Sequence, residues 1–83
     1  MSRLARATGQ ETIVALGKLG FTTVRVSGNH VHLKKAGTPG LVTVPKHGGE
    51  TLAPGLVRSI LRQAGVSDDE LMAVLYTRRA VYA

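Results

Sequence analysis

The sequence lacks cysteine, so disulfide bonds and thiolate metal sites are excluded and nothing argues for an oxidising compartment. No apolar run approaches the roughly 20 residues of a membrane-spanning helix. The basic start of the chain, residues 1–7, is not followed by the apolar region of a secretory signal. We therefore expect a cytoplasmic protein.

Acidic residues are scarce, and none lies between Thr12 and Gly49. That segment nevertheless contains all three histidines and five cations, which are Lys18, Arg25, Lys34, Lys35 and Lys46. The net charge is +6 and the sequence pI is about 10.6. Charge segregated in this way favours a polyanionic partner, nucleic acid ahead of a membrane surface, over solubility alone.

Aromatic residues make up only 4% of the chain, namely Phe21, Tyr76 and Tyr82. Base stacking of the kind that single-strand binders use is therefore not expected. Contacts to phosphates and 2′-hydroxyls would have to carry recognition of RNA, as in domains that bind double-stranded RNA.

The 83 residues and 43% hydrophobic content predict a single domain, 1–83, with a small core. We expect residues 1–7 and 77–83 to be flexible or variable. The chain offers no repeat and no linker that would divide it further.

Three helices are indicated by their end signals. Thr8–Glu11 and Ser67–Glu70 are capping boxes, and they begin the first and third helices. Gly20 is expected to end the first helix. Pro54 suits the first position of the second helix, which Gly65 ends. The buried stripe of this second helix is predicted to comprise Leu56, Val57, Ile60, Leu61 and Ala64.

Three strands are predicted between the first two helices, at residues 21–26, 30–34 and 41–44, because β-branched residues alternate with polar ones. The turn at residues 27–29 joins the first two strands into a hairpin. The order αβββαα predicts a small α+β domain with its helices packed on one face of an antiparallel sheet.

Period-two alternation assigns the strand residues to two faces of the sheet. The face under the helices is predicted to hold Val24, Val26, Val31, Leu33, Val42 and Val44. The opposite face, here called the open face, is predicted to hold Thr23, Arg25, His30, His32, Lys34 and Thr43. Two imidazoles and two cations without a carboxylate suggest an anionic partner, although an ordinary solvated face explains the same pattern.

His30 follows the Gly28-Asn29 turn, and an imidazole near neutral pH can both accept and donate a proton. Cleavage of RNA through its 2′-hydroxyl needs such a group, but spacing alone does not separate this role from that of an idle strand-edge histidine. His32 shares the face of His30 and is either an RNA contact or a bystander, because two imidazoles alone make an incomplete metal site. His47, in the loop after the third strand, either completes an acid/base pair or organises its loop.

The cations complete the candidate RNA surface. We expect phosphate contacts from Arg25, Lys34, Lys35 and Lys46. Arg58 and Arg62 lie one turn apart on the second helix, and they are equally well explained as a phosphate-facing edge or as two solvated arginines near a helix C-terminus. No metal or small-molecule cofactor is expected.

Several of these segments together resemble the HicA family of toxin endoribonucleases from bacterial and archaeal toxin–antitoxin modules. The resemblance runs from about Thr8 to Leu75. The motifs that carry it are Gly20-Phe21, the Gly28-Asn29-His30 turn, Thr43-Val44-Pro45-x-His47-Gly48, and Leu52-x-Pro54-Gly55-x-x-Arg58-Ser59-Ile60-Leu61-Arg62-Gln63-Ala64-Gly65. The last stretch is long and specific.

The resemblance implies a fold like that of double-stranded-RNA-binding domains, cleavage of mRNA by one catalytic histidine at the position of His30, and a HicB-type antitoxin that covers the site. The chain departs from the family pattern at Asn29, where serine is usual, at Val31, where a second histidine is frequent, and at Ala53, often lysine. Two other classes compete with a metal-independent ribonuclease: a non-catalytic RNA-binding module of the same fold, and a basic domain at a membrane surface. The last is disfavoured because no helix pairs a broad basic face with large aromatics.

Overall fold

The computed structural model describes residues 7–82, with side chains described for residues 7–75. The elements follow one another as α1 (Gly9–Lys18), β1 (Thr22–Ser27), β2 (His30–Lys34), β3 (Val42–Pro45), α2 (Pro54–Ala64) and α3 (Asp68–Tyr82). The strands form one antiparallel sheet in the order β1-β2-β3. The prediction of a small α+β domain resembling double-stranded-RNA-binding domains, αβββα with a C-terminal helix, is confirmed.

Both predicted capping boxes are present. The Thr8 hydroxyl accepts a hydrogen bond from the Glu11 amide at 3.0 Å, and the Glu11 carboxylate accepts one from the Thr8 amide at 2.9 Å. Ser67 and Glu70 make the same reciprocal pair at the start of α3, at 3.1 and 2.9 Å. Each box satisfies amides that have no partner within the first helical turn.

The second helix also begins and ends as its sequence predicts. Pro54 is its first residue, and Gly65 ends it in a left-handed conformation with φ of 69°, which glycine adopts without steric cost. Its buried residues are Val57, Ile60, Leu61 and Ala64. The prediction that Leu56 belongs to this buried stripe was wrong. Leu56 lies one position outside the i, i+3, i+4, i+7 pattern of the buried residues, and its side chain is exposed.

The core lies between the helices and the sheet, and its fully buried side chains include Leu16, Leu33, Val42, Val44, Val57, Ile60 and Leu71. In β2 and β3 the predicted alternation is confirmed: the three valines and the leucine facing the helices are buried, whereas the residues between them are exposed or half-buried. Both α1 and α2 pack on β3, and α3 packs on α1. The helices therefore cover one side of the sheet unequally.

The assignment of β1 was wrong on two counts. Val24 and Val26 were assigned to the face under the helices, yet they are 53% and 60% exposed, although Val26 does lie on that face, opposite Val31. The pairing of β1 with β2 shifts register between Thr23 and Arg25, so period-two alternation does not continue across that point. Thr23 consequently pairs with Leu33, on the helix side rather than the open face. The valines of β1 are exposed for a further reason: β1 is an edge strand, and it lies farthest from β3, on which α1 and α2 pack.

The expectation that residues 1–7 and 77–83 are flexible or variable stays a prediction. Residues 1–6 lie outside the described residues. Ala7 is buried and its carbonyl accepts a hydrogen bond from the Leu52 amide at 2.8 Å. The backbone of α3 continues to Tyr82.

Candidate functional site

His30 is the first residue of β2, and its side chain is exposed on the open face. Its neighbours across the strands are Ser27 on β1 and Pro45 on β3. The turn before it is tight because Gly28 takes a left-handed conformation, with φ of 61°. The backbone thus presents this imidazole to solvent at the end of the sheet where the turn between β1 and β2 lies beside the end of β3.

A second imidazole is tied to the residue that precedes His30. The side-chain amide nitrogen of Asn29 lies 2.9 Å from Nδ1 of His47. An amide N–H can only donate, so Nδ1 accepts the bond and the neutral ring carries its proton on Nε2. Nε2–H of His47 is therefore the ring's hydrogen-bond donor, and it belongs to a side chain that contacts the turn before His30.

The loop that carries His47 is fixed at both ends. At its start, the Lys46 amide donates to the Asn29 carbonyl at 2.7 Å, which holds the end of β3 against the hairpin turn. At its far end, the Leu52 amide donates a hydrogen bond to the Ala7 carbonyl, and the neighbouring residues 8 and 51 form a β-bridge. Loop 46–50 is therefore held in place by the hairpin on one side and by the start of α1 on the other.

His32 has a different environment from His30, although both lie on the open face. Its Nδ1 lies 2.9 Å from the hydroxyl of Thr43 on β3, and its side chain is half-buried. The hydrogen bond holds this ring against the neighbouring strand. His32 thus links β2 to β3 through its side chain, and His30 is the more accessible of the two imidazoles on β2.

Some of the predicted cations gather near the two histidines and others do not. Arg25 pairs with His32 across the strands, Lys34 is exposed at the end of β2, and Lys46 is exposed beside His47. Arg25 and Lys34 therefore share the open face with His30, and Lys46 follows the end of β3. The predicted open-face residues of β1 to β3 include no carboxylate, so the local field is positive.

Lys35 lies apart from this group. Alternation along β2 directs it away from Lys34, and its ammonium lies 5.7 Å from the centre of the Phe21 ring. Hydrogen bonds from Ser67 are the main cause that lowers the pKa of Glu70, at the start of α3, and the charge of Lys35 adds to this effect. Arg58 and Arg62 are exposed on α2, which packs on the covered side of the sheet. The structure therefore does not bring these three cations onto the open face.

Two partners in this site were not predicted from the sequence: Asn29 as the residue that holds His47, and Thr43 as the residue that holds His32. Each contact joins residues far apart in the chain, 18 and 11 positions respectively. The local signal for Asn29 was its turn propensity, which says nothing about a side chain arriving from the end of β3.

Within the described part of the chain, no group of three or more His, Cys, Asp or Glu side chains could hold a metal ion. The same residues include no helix that is long and apolar enough to cross a membrane. What the arrangement offers chemically is an accessible imidazole, a second imidazole with a defined donor nitrogen, and cations that attract phosphate.

Comparison with protein families agrees with the resemblance of the motifs. The family model described as HicA toxin of bacterial toxin–antitoxin matches residues 9–66, which include β1 to β3 and all of α2. A comparison with curated proteins found no match.

Proposed function

Since the chain belongs to the HicA toxin family and is thus the toxin of a toxin–antitoxin module, we propose that it is a metal-independent endoribonuclease that cleaves mRNA through His30. The observation that supports this most directly is the position of His30, an exposed imidazole on a basic, carboxylate-free sheet face beside a second histidine. We further propose that it acts in the cytoplasm, where mRNA is accessible.

The proposed reaction is an attack within the RNA itself. His30 removes the proton of a 2′-hydroxyl, the 2′-oxygen bonds to the adjacent phosphorus, and the bond from phosphorus to the 5′-oxygen breaks. The departing 5′-oxygen takes up a proton, and the RNA is left with a 2′,3′-cyclic phosphate and a free 5′-hydroxyl. The cations Arg25, Lys34 and Lys46 offset the charge of the phosphate that the protein binds.

The test of this proposal is cleavage of RNA by the purified protein in the presence of a chelator. His30→Ala should abolish cleavage, and its thermal unfolding should match that of the wild type because the side chain is exposed. His32→Ala is the matched control on the same face, and we expect it to retain most of the activity. Cleavage by His30→Ala at the wild-type rate would refute the assignment. RNA binding without cleavage by the wild type would identify a non-catalytic module instead.

His47 is the candidate for the group that protonates the departing oxygen. The bond from Asn29 leaves its Nε2–H free to donate, although the same contact would serve equally if His47 only anchored its loop. The dependence of the cleavage rate on pH separates the two roles. A proton donor predicts that His47→Gln removes one limb of the profile, whereas an anchor predicts a uniformly lower rate with both limbs retained.

Asn29→Ala provides a further check on His47, because it removes the amide donor without touching either imidazole. If the tautomer of His47 matters, this variant should cleave about tenfold more slowly or worse, while His30 remains essential. An unchanged rate would show that the contact between Asn29 and His47 has no part in the reaction.

We also propose that the partner in the module is a HicB-type antitoxin. A nuclease must be silenced in the cell that makes it, and an acidic protein would be attracted by a chain of net charge +6. The expected result is that the antitoxin abolishes RNA cleavage at a one-to-one ratio. Tight binding without inhibition would exclude masking of the site that contains His30.

A further inference from the structure

β1 has an open outer edge. It pairs with β2 on one side, and it is the terminal strand of the sheet. All six of its residues are exposed. The outward N–H and C=O groups of such an edge are available to a strand from another chain. Proline and acidic residues, which would discourage pairing, are absent from Thr22–Ser27, and Arg25 is the one charged residue there.

The same strand also leaves apolar surface bare. Val26 is opposite Val31 on the helix side of the sheet, yet Val31 is buried and Val26 is 60% exposed. The difference arises because α1 and α2 pack on β3, two strands away. A strand added outside β1 would extend the sheet, and its side chain next to Val26 would cover this part of the surface.

The chemistry of the occupant follows from charge. A second copy of this chain would bring another net charge of +6, and pairing of β1 with itself would bring two arginines into one small sheet region. A strand from an acidic protein meets no such repulsion. Membership of a toxin–antitoxin family implies a partner protein, the antitoxin, that could supply such a strand.

We propose that the antitoxin adds a strand to the outer edge of β1, with an apolar side chain over Val26 and a carboxylate beside Arg25. Neighbouring residues of a strand point to opposite faces. The docking strand should therefore alternate, apolar on the helix side and acidic on the open face. The register shift at Thr23–Arg25 limits regular pairing to the end of the strand nearest the hairpin turn. This inference rests on the proposed antitoxin relationship. It adds the binding site, which is the outer edge of β1, and the alternating residue pattern of the docking strand.

Binding of the purified product of the adjoining gene tests the proposal. Val26→Lys places a charge on the bare surface and should weaken binding by about tenfold or more. Leu41→Lys is the matched control, since Leu41 is 45% exposed but lies outside the strands. It should bind as the wild type does. Both variants should cleave RNA and unfold as the wild type does, because neither residue belongs to the proposed reaction or to the core. Equal binding by the two variants would overturn the proposal.

Hydrogen exchange on the complex provides a second measurement that needs no variant. Of residues 25–27, the amides that point away from β2 should exchange more slowly in the complex than in the free protein. Unchanged exchange there, with protection elsewhere, would overturn strand addition. A dimer of the free protein that Val26→Lys dissociates would assign the edge to a second copy, with the same consequence.

Failure of the nuclease proposal would look different. A wild-type protein that does not cleave RNA, but whose β1 amides are protected in the complex, would refute the proposed reaction and leave the docking strand intact. Cleavage that the antitoxin inhibits without protecting β1 would do the reverse.

Discussion

Gly9 shows how a single hydrogen atom in place of a side chain can position a loop of the candidate site. A Cβ atom at this position would collide with the carbonyl oxygen of Pro45 and press on the Cα of Lys46. Both obstacles are backbone, which cannot rotate away as a flexible side chain could. Gly9 thus lets α1 begin directly against the end of β3, where loop 46–50 with His47 starts.

We predict opposite effects for two substitutions within α1. Gly9→Ala should destabilise the protein by about 1–3 kcal/mol, because the new methyl group forces the helix away from β3. Gly17→Ala should stabilise it by about 0.5–1 kcal/mol, because a Cβ there meets nothing within 4 Å and alanine favours the helix. Chemical denaturation of the two variants and the wild type measures both effects. A Gly9→Ala variant as stable as the wild type would show that α1 does not depend on this close approach.

For single residues, the sequence predicts the position of a side chain in the fold better than it predicts the side chain's hydrogen-bond partner. The placement of His30 at the start of a strand followed from the turn before it, because glycine and asparagine determine local backbone geometry. The hydrogen bond from Asn29 to His47 could not be predicted in the same way. It depends on where β3 ends relative to the hairpin, and that is fixed by register and by the packing of α1.

Local sequence determines where the helices begin more fully than it determines which strand residues are buried. Both capping boxes were predicted and are present, since a capping box is a contact between residues three positions apart. The burial of β1 was predicted wrongly, because alternation says which residues share a face but not whether a helix covers that face. The register shift at Thr23–Arg25 further separates the strand from the simple pattern. Cover by helices is a property of the whole packing arrangement.

The cap of α3 carries a pH-dependent contribution to stability. Hydrogen bonds from the backbone and side chain of Ser67 lower the pKa of Glu70 below its usual value of 4.5. A carboxylate with a lowered pKa in the folded protein stabilises the fold above its usual pKa, and this contribution is lost as the pH falls through the lowered value. The contribution is therefore complete at neutral pH and declines only in acid.

We predict that Glu70→Gln flattens the acid side of the stability profile. Thermal unfolding of the variant should depend less on pH below about 4.5 than that of the wild type, because the titrating cap is gone. Ser67→Ala should raise the pKa of Glu70 part of the way back, since the backbone donor remains while the hydroxyl is lost. Titration of the carboxyl group by NMR measures this rise. A pKa that does not move in Ser67→Ala would mean that the hydroxyl has no influence on the cap.

Over the whole molecule, the distribution of charge separates two sets of cations. Arg25, Lys34 and Lys46 lie on or beside the open face, whereas Arg58 and Arg62 belong to a helix on the covered side. If the proposed RNA substrate lies on the open face, the first set neutralises its phosphates, and the counterions of those phosphates are released. The second set should then contribute little to that release.

We predict that RNA affinity falls steeply with salt and that single substitutions locate the contact surface. Lys34→Ala should reduce the slope of log affinity against log salt by about one unit, the value expected for one lost phosphate contact. Arg62→Ala should leave the slope as in the wild type. Titrations of His30→Ala with RNA at several salt concentrations measure binding without cleavage. A slope that falls for Arg62→Ala but not for Lys34→Ala would move the interface to α2.

The position of Leu71 in the core has a consequence for the order of events during synthesis. This residue of α3 is fully buried, and it is the last of the core residues along the described chain. A growing chain can form the hairpin and loop 46–50 early, but the core that supports them closes only after residue 71 has been made. The open face with His30 is therefore supported only from that point of synthesis onward, and the proposed cleavage of RNA can begin no earlier.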